Sequence, residues 1–281
     1  MKLSLGFSPC PNDTFIFDSL VNGKLDTQGI EWEVHLQDVQ TLNEWARQGK
    51  LDVTKVSYGV LPAIYPQYRL LTAGGAMGFG VGPLLIGNNP LNSHLANLQT
   101  QVSQSSIAVP GQDTTAHFLL TYAFGAALHK QFMPFHEIED WVKEEQTNET
   151  RLGVIIHEGR FTYAQKGLHA WLDLGSHWEQ QTGWPIPLGG IAIKRNVAPH
   201  LYDVLNPLIK ASIALSWQQY PQVSPYVQAH AQDMQAPVIR NHIELYVNEF
   251  SNDVGAAGRA AVVQLMRTLQ PSQNWQDTQL F

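Results

Sequence analysis

The first 57 residues switch repeatedly between a two-residue and a helical apolar period, and that alternation restricts the fold more than any other feature of the chain. Residues 3–7 read as a short strand. Ser8-Pro9-Cys10-Pro11-Asn12-Asp13 reads as a turn, with Asn12 or Asp13 placed to cap a helix. Phe15, Ile16 and Leu20 share one face of that helix, which Gly23 ends. Residues 31–36 alternate like a strand, and Asp38 can cap a helix bearing Leu42, Trp45 and Ala46 as far as Gly49. Residues 53–57 make a third strand. The order β-α-β-α-β predicts an α/β layered fold.

Further strands are expected at residues 70–72 and 81–86, around a glycine-rich loop. A second α/β unit opens with a strand at 106–109. It continues through a helix at 114–128, a strand at 135–138, a short acidic helix and a buried apolar strand at 152–156. Residues 168–172 and 190–193 are weaker strand candidates. From Ala198 onward the pattern is helical, with Pro207, Pro221, Pro225 and Pro237 expected to divide it into separate helices. With no long linker and no internal repeat, two lobes joined by crossing strands are predicted. Residues 1–88 and 196–281 form a discontinuous large lobe, and residues 89–195 a small one. A cleft is expected between them.

At 281 residues, 44% hydrophobic and 15% charged, the chain can bury a sizeable core. Its net charge is −7 and it has no run of Lys or Arg, which argues against nucleic acid or an anionic membrane as partner. The charges are unevenly spread. Between Arg69 and Asp113 no Lys, Arg, Asp or Glu occurs, yet Gly, Asn, Gln and Pro break every apolar run well short of a membrane span. Residues 74–86 of this stretch are expected to border the cleft and the hinge, where a flat substrate needs apolar walls. Cys10 is the only cysteine, so an internal disulfide is impossible and no Cys-based zinc site is expected. Pro9 and Asp13 interrupt the N-terminus before a signal-peptide core could form, so a reducing, cytoplasmic location is expected. Nothing in the sequence specifies an oligomeric state.

Most histidines carry no chemistry in this reading. His94, His129, His169, His177, His200 and His230 fall in loops or on polar helix faces, and His117 suits a core or interlobe role. No spacing suggests a metal. There is no Walker motif, and Gly78-Phe79-Gly80-Val81-Gly82 runs into Pro83 rather than opening a helix. No Gly-x-Ser-x-Gly elbow occurs.

Four strand-to-helix edges are polar. Ser8 to Asp13 follows the first strand, and Cys10 there is either structural or, less simply, a thiol of lowered pKa. Lys55 and Ser57 end the third strand, facing either solvent or a ligand. Gly111-Gln112-Asp113-Thr114-Thr115-Ala116 opens a helix, where amides and hydroxyls can hold an anion while Asp113 or Thr114 caps. His157 follows the buried strand at its carboxyl end, where open α/β sheets bind ligands. It is either a general base or a histidine satisfied within a polar seam.

At these residues the chain resembles the 1,4-dihydroxy-6-naphthoate synthase family. The likeness runs through Phe7-Ser8-Pro9-Cys10-Pro11-Asn12-Asp13-Thr14-Phe15, Thr54-Lys55-Val56-Ser57-Tyr58 and Ile155-Ile156-His157-Glu158-Gly159-Arg160-Phe161-Thr162-Tyr163, with residues 78–84 and 110–116. Tyr246-Val247-Asn248-Glu249-Phe250-Ser251 and residues 255–259 extend it into the C-terminal helices. The resemblance implies a type II periplasmic-binding-protein-like fold and a cytoplasmic lyase of menaquinone biosynthesis. Its substrate would be a small carboxylate, cyclic dehypoxanthinylfutalosine. His157 would accept a proton, starting a C–C fragmentation that aromatisation drives, with no metal or organic cofactor. Substrate contacts would fall to Asn43, Lys55, Val56, Ser57, Thr115 and Ala116. Ser8, Asn12, Asp13, Gly78 and Val81 are expected along the cleft edge. A slightly longer acidic connection at residues 143–151 departs from the family pattern, away from these motifs. Two rivals stand beside the lyase. One is a solute-binding protein for a small carboxylate, and the other a chorismate dehydratase of the same pathway.

Overall fold

The computed structural model describes residues 1–91, 97–144, 150–197, 199–231 and 235–281. Its strands are β1 (Lys2–Phe7), β2 (Glu31–Leu36), β3 (Val53–Ser57), β4 (Tyr68–Leu70), β5 (Ala76–Gly78), β6 (Leu84–Gly87), β7 (Ser106–Val109), β8 (His129–Phe132), β9 (Arg151–Ile155), β10 (His169–Asp173) and β11 (Ile186–Lys194). The chain divides into two compact units, Met1–Gly78 with Pro187–Phe281, and Phe79–Ile186.

The sheet of the first unit runs β2-β1-β3-β11-β4, with β5 also paired to β11. The opening β-α-β-α-β pattern is realised: β1 pairs in parallel with both β2 and β3, and the helices Pro11–Val21 and Val39–Arg47 make the crossovers. Leu5, Phe7, Ile16, Phe17, Ile191, Ile209, Ile213 and Ile243 belong to its core. The long helix Leu201–Gln219 docks on Pro11–Val21 by more than apolar contact. Ser212 Oγ donates to the Ile16 carbonyl at 2.6 Å, and Ser216 Oγ to that of Phe15 at 2.8 Å. Asn206 Oδ1 accepts from the amides of Thr72 and Ala73 at 2.8 and 3.1 Å, fastening the chain beyond β4.

The sheet of the second unit runs β10-β6-β9-β7-β8. Leu84, Ile86, Ala108, Ile138, Val142, Ile155 and Leu168 form a core cluster in it. The helix Ile138–Lys143 lies tightly on β9 because Gly153 has no side chain; a Cβ there would come within 2.5 Å of Ile138 Cγ2 and 2.8 Å of Val142 Cγ2.

Several expectations need correction. The first helix is capped by Cys10 without a side-chain bond and opens on Pro11, so Asn12 and Asp13 lie inside it. Residues 135–138 form no strand: Phe135–Glu137 is a 3₁₀ turn, and the strand beside β7 is His129–Phe132. That edge strand is largely exposed and polar, so it lacks the apolar alternation that reveals a strand. His129 and His169 accordingly lie on strands rather than in loops or on helices. The helix at 114–128 stops at Phe124 because Gly125 takes φ +86°. Pro207 lies within the helix Leu201–Gln219 instead of ending one. Burial of Leu208, Ile209 and Ile213 outweighs the roughly 3 kcal/mol that an interior proline costs.

The crossings also fall elsewhere. The sequence places them at 88/89 and 195/196, whereas the units meet in sequence at 78/79 and 186/187. β6 pairs with β9 and β10, while β11 pairs with β3 and β4; hydropathy does not say which sheet a buried strand joins. Within residues 74–86 all but Phe79 and Gly80 are buried. His94, Ala198 and most of the acidic connection at 143–151 lie outside the described residues. Among those described, no helix is long and apolar enough to cross a membrane.

Gly153→Ala should destabilise the protein by about 1–3 kcal/mol, the usual cost of overpacking. A urea unfolding midpoint equal to that of the parent would contradict the close approach of the helix to β9.

Candidate functional sites

In the first unit the polar edges converge on one buried carboxylate. Asp13, at the third position of its helix, turns back across the preceding turn. One carboxylate oxygen accepts from the amide and hydroxyl of Ser8 at 3.2 and 2.7 Å. The other accepts from Asn12 Nδ2 at 2.9 Å and from Lys55 Nζ at 2.7 Å. The Lys55 and Asp13 side chains are 6% and 2% exposed, so this ion pair is dry. Lys55 Nζ also donates to the Gly74 carbonyl at 3.3 Å.

Strand alternation puts Lys55 and Ser57 on one face of β3 and sends Val56, fully buried, to the other. Asn43 reaches Ser57 from the helix Val39–Arg47. Its Nδ2 donates to Ser57 Oγ at 3.0 Å, and its Oδ1 accepts from the Ser57 amide at 2.8 Å. Opposite Ser57, β11 presents Gly189. A Cβ there would stand 3.2 Å from Lys55 Cε, so the glycine leaves room for the lysine stem. The cluster can present a positive charge, together with the Ser57 and Asn43 polar groups, to a carboxylate or an enolate.

Three predicted residues of the second unit lie near strand ends. Thr114 caps the helix Thr115–Phe124: its hydroxyl accepts from the His117 amide at 3.2 Å and donates to the Gly111 carbonyl at 2.8 Å. Thr115 and Ala116 are then the first two helical residues, both buried, with their amides at the positive end of the helix dipole. His117 is half-buried rather than core. Its Nδ1 pairs with the Gln112 carbonyl at 2.7 Å and its Nε2 with Lys130 Nζ at 3.1 Å. Burial first, and the Lys130 charge as a lesser cause, push its pKa below the ordinary 6.5.

His157 lies two residues past β9 with φ +55°, a left-handed backbone in a residue that has a side chain. Such a conformation costs of order 1–3 kcal/mol and clusters at functional sites. The Phe135 ring meets the imidazole edge to face at 4.9 Å. Downstream, Arg160 bonds both the Gly82 carbonyl and Asp173, the latter at 2.7 Å. An imidazole at such a position is chemically able to serve as a general base.

Ser8, Asn12, Asp13 and Lys55 are thus brought together, as are Asn43 and Ser57. Gly78 ends β5 in the first unit, and Val81 is buried ahead of β6 in the second; neither joins these clusters. Cys10 is buried at the helix cap. Sequence reasoning missed the Gly74 carbonyl, Gly189 and Phe135. The Gly189-Gly190 pair inside an apolar run was a usable sign of close backbone approach, whereas Phe135 gave none.

Two outcomes follow. Asp13→Ala strands a buried ammonium and should cost about 3–5 kcal/mol in a denaturant titration, far more than replacing a surface pair; a loss under about 1 kcal/mol would mean that the pair is solvated. His117 is held neutral, because its folded pKa lies below its unfolded value. Its contribution is complete above pH 6.5 and is lost as pH falls through the depressed value. His117→Gln should flatten the slope of stability against pH in that window.

The sequence model for menaquinone biosynthesis matches residues 3–271. A 1,4-dihydroxy-6-naphthoate synthase of Thermus thermophilus is 42% identical, covering 94% of this chain and 92% of its own. A protein of the same name from Streptomyces coelicolor is 38% identical, with 94% and 91% covered. Among solved structures, a protein of Archaeoglobus fulgidus superposes with a TM-score of 0.87 at 28% identity, covering 96% of this chain and 97% of that one. The periplasmic aliphatic sulphonate binding protein of Escherichia coli superposes with a TM-score of 0.66 at 13% identity, covering 99% and 91%, which gives the fold as periplasmic-binding-protein-like. With two α/β units and the matched motifs spread along nearly the whole of it, this chain belongs to the menaquinone-biosynthesis family.

Proposed function

We propose that the chain is a 1,4-dihydroxy-6-naphthoate synthase, a carbon–carbon lyase acting on cyclic dehypoxanthinylfutalosine in the cytoplasm. The observation that carries the reading is His157. It follows a buried strand inside the family motif and holds a backbone conformation that folding alone would not favour. The relatives are named as the synthase, and not as a chorismate dehydratase or a solute-binding protein.

In this reading the imidazole removes a proton from a carbon acid of the substrate. The electron pair left behind drives cleavage of a C–C bond. The new ring becomes aromatic, and a three-carbon piece departs. Aromatisation supplies the driving force, so neither a metal nor an organic cofactor is assigned a role. The ammonium of Lys55, fixed by Asp13, suits an anionic group of the substrate or the charge that develops as the proton leaves. Ser57 and Asn43 offer adjacent hydrogen-bonding groups. Thr115 and Ala116 offer a helix N-terminus to a carboxylate.

Incubating the protein with cyclic dehypoxanthinylfutalosine should produce the absorbance of 1,4-dihydroxy-6-naphthoate, while chorismate in a parallel reaction is left unconsumed. Consumption of chorismate with no naphthoate would overturn the assignment in favour of the dehydratase. Binding of either compound without turnover would favour a solute-binding protein. Thr115→Val should raise KM roughly tenfold, the worth of one hydrogen bond to a charged group, with kcat little changed.

A further inference from the structure

The 3₁₀ turn Phe135–Glu137 and the helix Ile138–Lys143 that follows it approach the His157 loop at two places, four residues apart. Phe135 meets the imidazole itself, ring to ring at 4.9 Å. Glu139, only 9% exposed, lies over the start of the helix Gly159–Thr162 that follows the histidine. A Cβ on Gly159 would sit 3.7 Å from Glu139 Oε1. The other carboxylate oxygen accepts from Lys166 Nζ at 2.6 Å. Lys166 lies just beyond that short helix, and its amide bonds the Thr162 and Tyr163 carbonyls. The Glu139 carboxylate therefore lies beside the His157-bearing segment near its beginning and pairs with Lys166 near its end.

This carboxylate is largely buried, and among the described residues its Oε1 has no hydrogen-bond partner. A buried carboxylate oxygen left unsatisfied is costly, and packing alone does not favour it over a neutral side chain. The gap at Gly153 seats the helix Ile138–Lys143 directly on β9, which leads into His157. A left-handed histidine persists only where its surroundings over-determine it, and these contacts do that from two consecutive elements.

We propose that Phe135 and Glu139 are positioning residues for His157, Phe135 setting the orientation of the imidazole and Glu139 clamping the loop that carries it. The inference rests on the reading of His157 as the proton acceptor. Neither residue is placed against substrate, so both should act on kcat and spare KM. A base misplaced by about 1 Å can cost about 100-fold in rate.

The test compares Phe135→Leu, Glu139→Gln and Glu139→Asp with the parent, using kcat and KM on the cyclic substrate and the ¹⁵N-resolved ring signals of His157. Phe135→Leu and Glu139→Gln should each lower kcat about 10- to 100-fold with KM within about twofold. Both should shift or broaden the His157 ring signals. Glu139→Asp should recover part of the rate, because it keeps the charge for Lys166. Unfolding midpoints identify any variant lost merely to instability, and Phe135, being only half-buried, supplies the variant least exposed to that outcome. Parent-like kcat and unmoved ring signals in both Phe135→Leu and Glu139→Gln would overturn the proposal. Equal losses in kcat and substrate affinity would do so too. Parent-like turnover in a His157→Gln control would instead overturn the assignment of the base, a result the positioning variants cannot mimic.

Discussion

The buried ion pair between Asp13 and Lys55 is the constraint on which the first unit's polar site depends. Removing both ions from water costs several kcal/mol each, and mutual attraction repays that only if the remaining donors and acceptors are matched. Here they are closely matched. Asp13 accepts from the Ser8 backbone amide and hydroxyl, the Asn12 side-chain Nδ2 and the ammonium, and the ammonium gives a second bond to the Gly74 carbonyl. One interaction thus ties the turn after β1, the start of the first helix, the middle of β3 and the chain beyond β4. Such a pair is weak evidence of stability. Its better use is to keep a charge fixed and poorly solvated, where it acts on a ligand more strongly than it would in water.

The second unit meets a different constraint, that of holding a histidine in a backbone conformation it does not prefer. Glycines make this possible by letting elements approach closely. Gly153 admits a helix onto β9. Gly82 and Gly175 pass so near each other that a Cβ on Gly82 would stand 2.3 Å from the Gly175 Cα. Arg160, three residues after His157, bonds the Gly82 carbonyl and Asp173 and so joins the histidine loop to that contact. The uncharged, glycine-rich stretch seen in the sequence is therefore used for close packing: Gly74 offers its carbonyl to Lys55 in one unit, and Gly82 offers its own to Arg160 in the other.

Much of the fold was legible because both units obey simple periodicities. β2 and β3 have their expected bounds, Asp38 caps its helix as read, and His157 follows a buried strand. The failures share a cause, since each depended on tertiary context. β8 is a polar edge strand without alternation. Pro207 is carried through a helix by the core on either side. The crossings between the units are set by pairing partners, which hydropathy does not encode. Partnerships between the candidate residues were not legible in the sequence. Lys55 and Asp13 were separate edges in the sequence, 42 residues apart, and only the fold makes them one group. Phe135 was read as part of a strand and proves to be the aromatic neighbour of His157.

The central claim is that His157 acts as the proton acceptor, and chemical rescue tests it most directly. A His157→Ala variant, with its loop still clamped, should form no naphthoate on its own. Added imidazole should restore product formation in proportion to its unprotonated fraction. Turnover at the parent rate in the absence of imidazole would contradict the account.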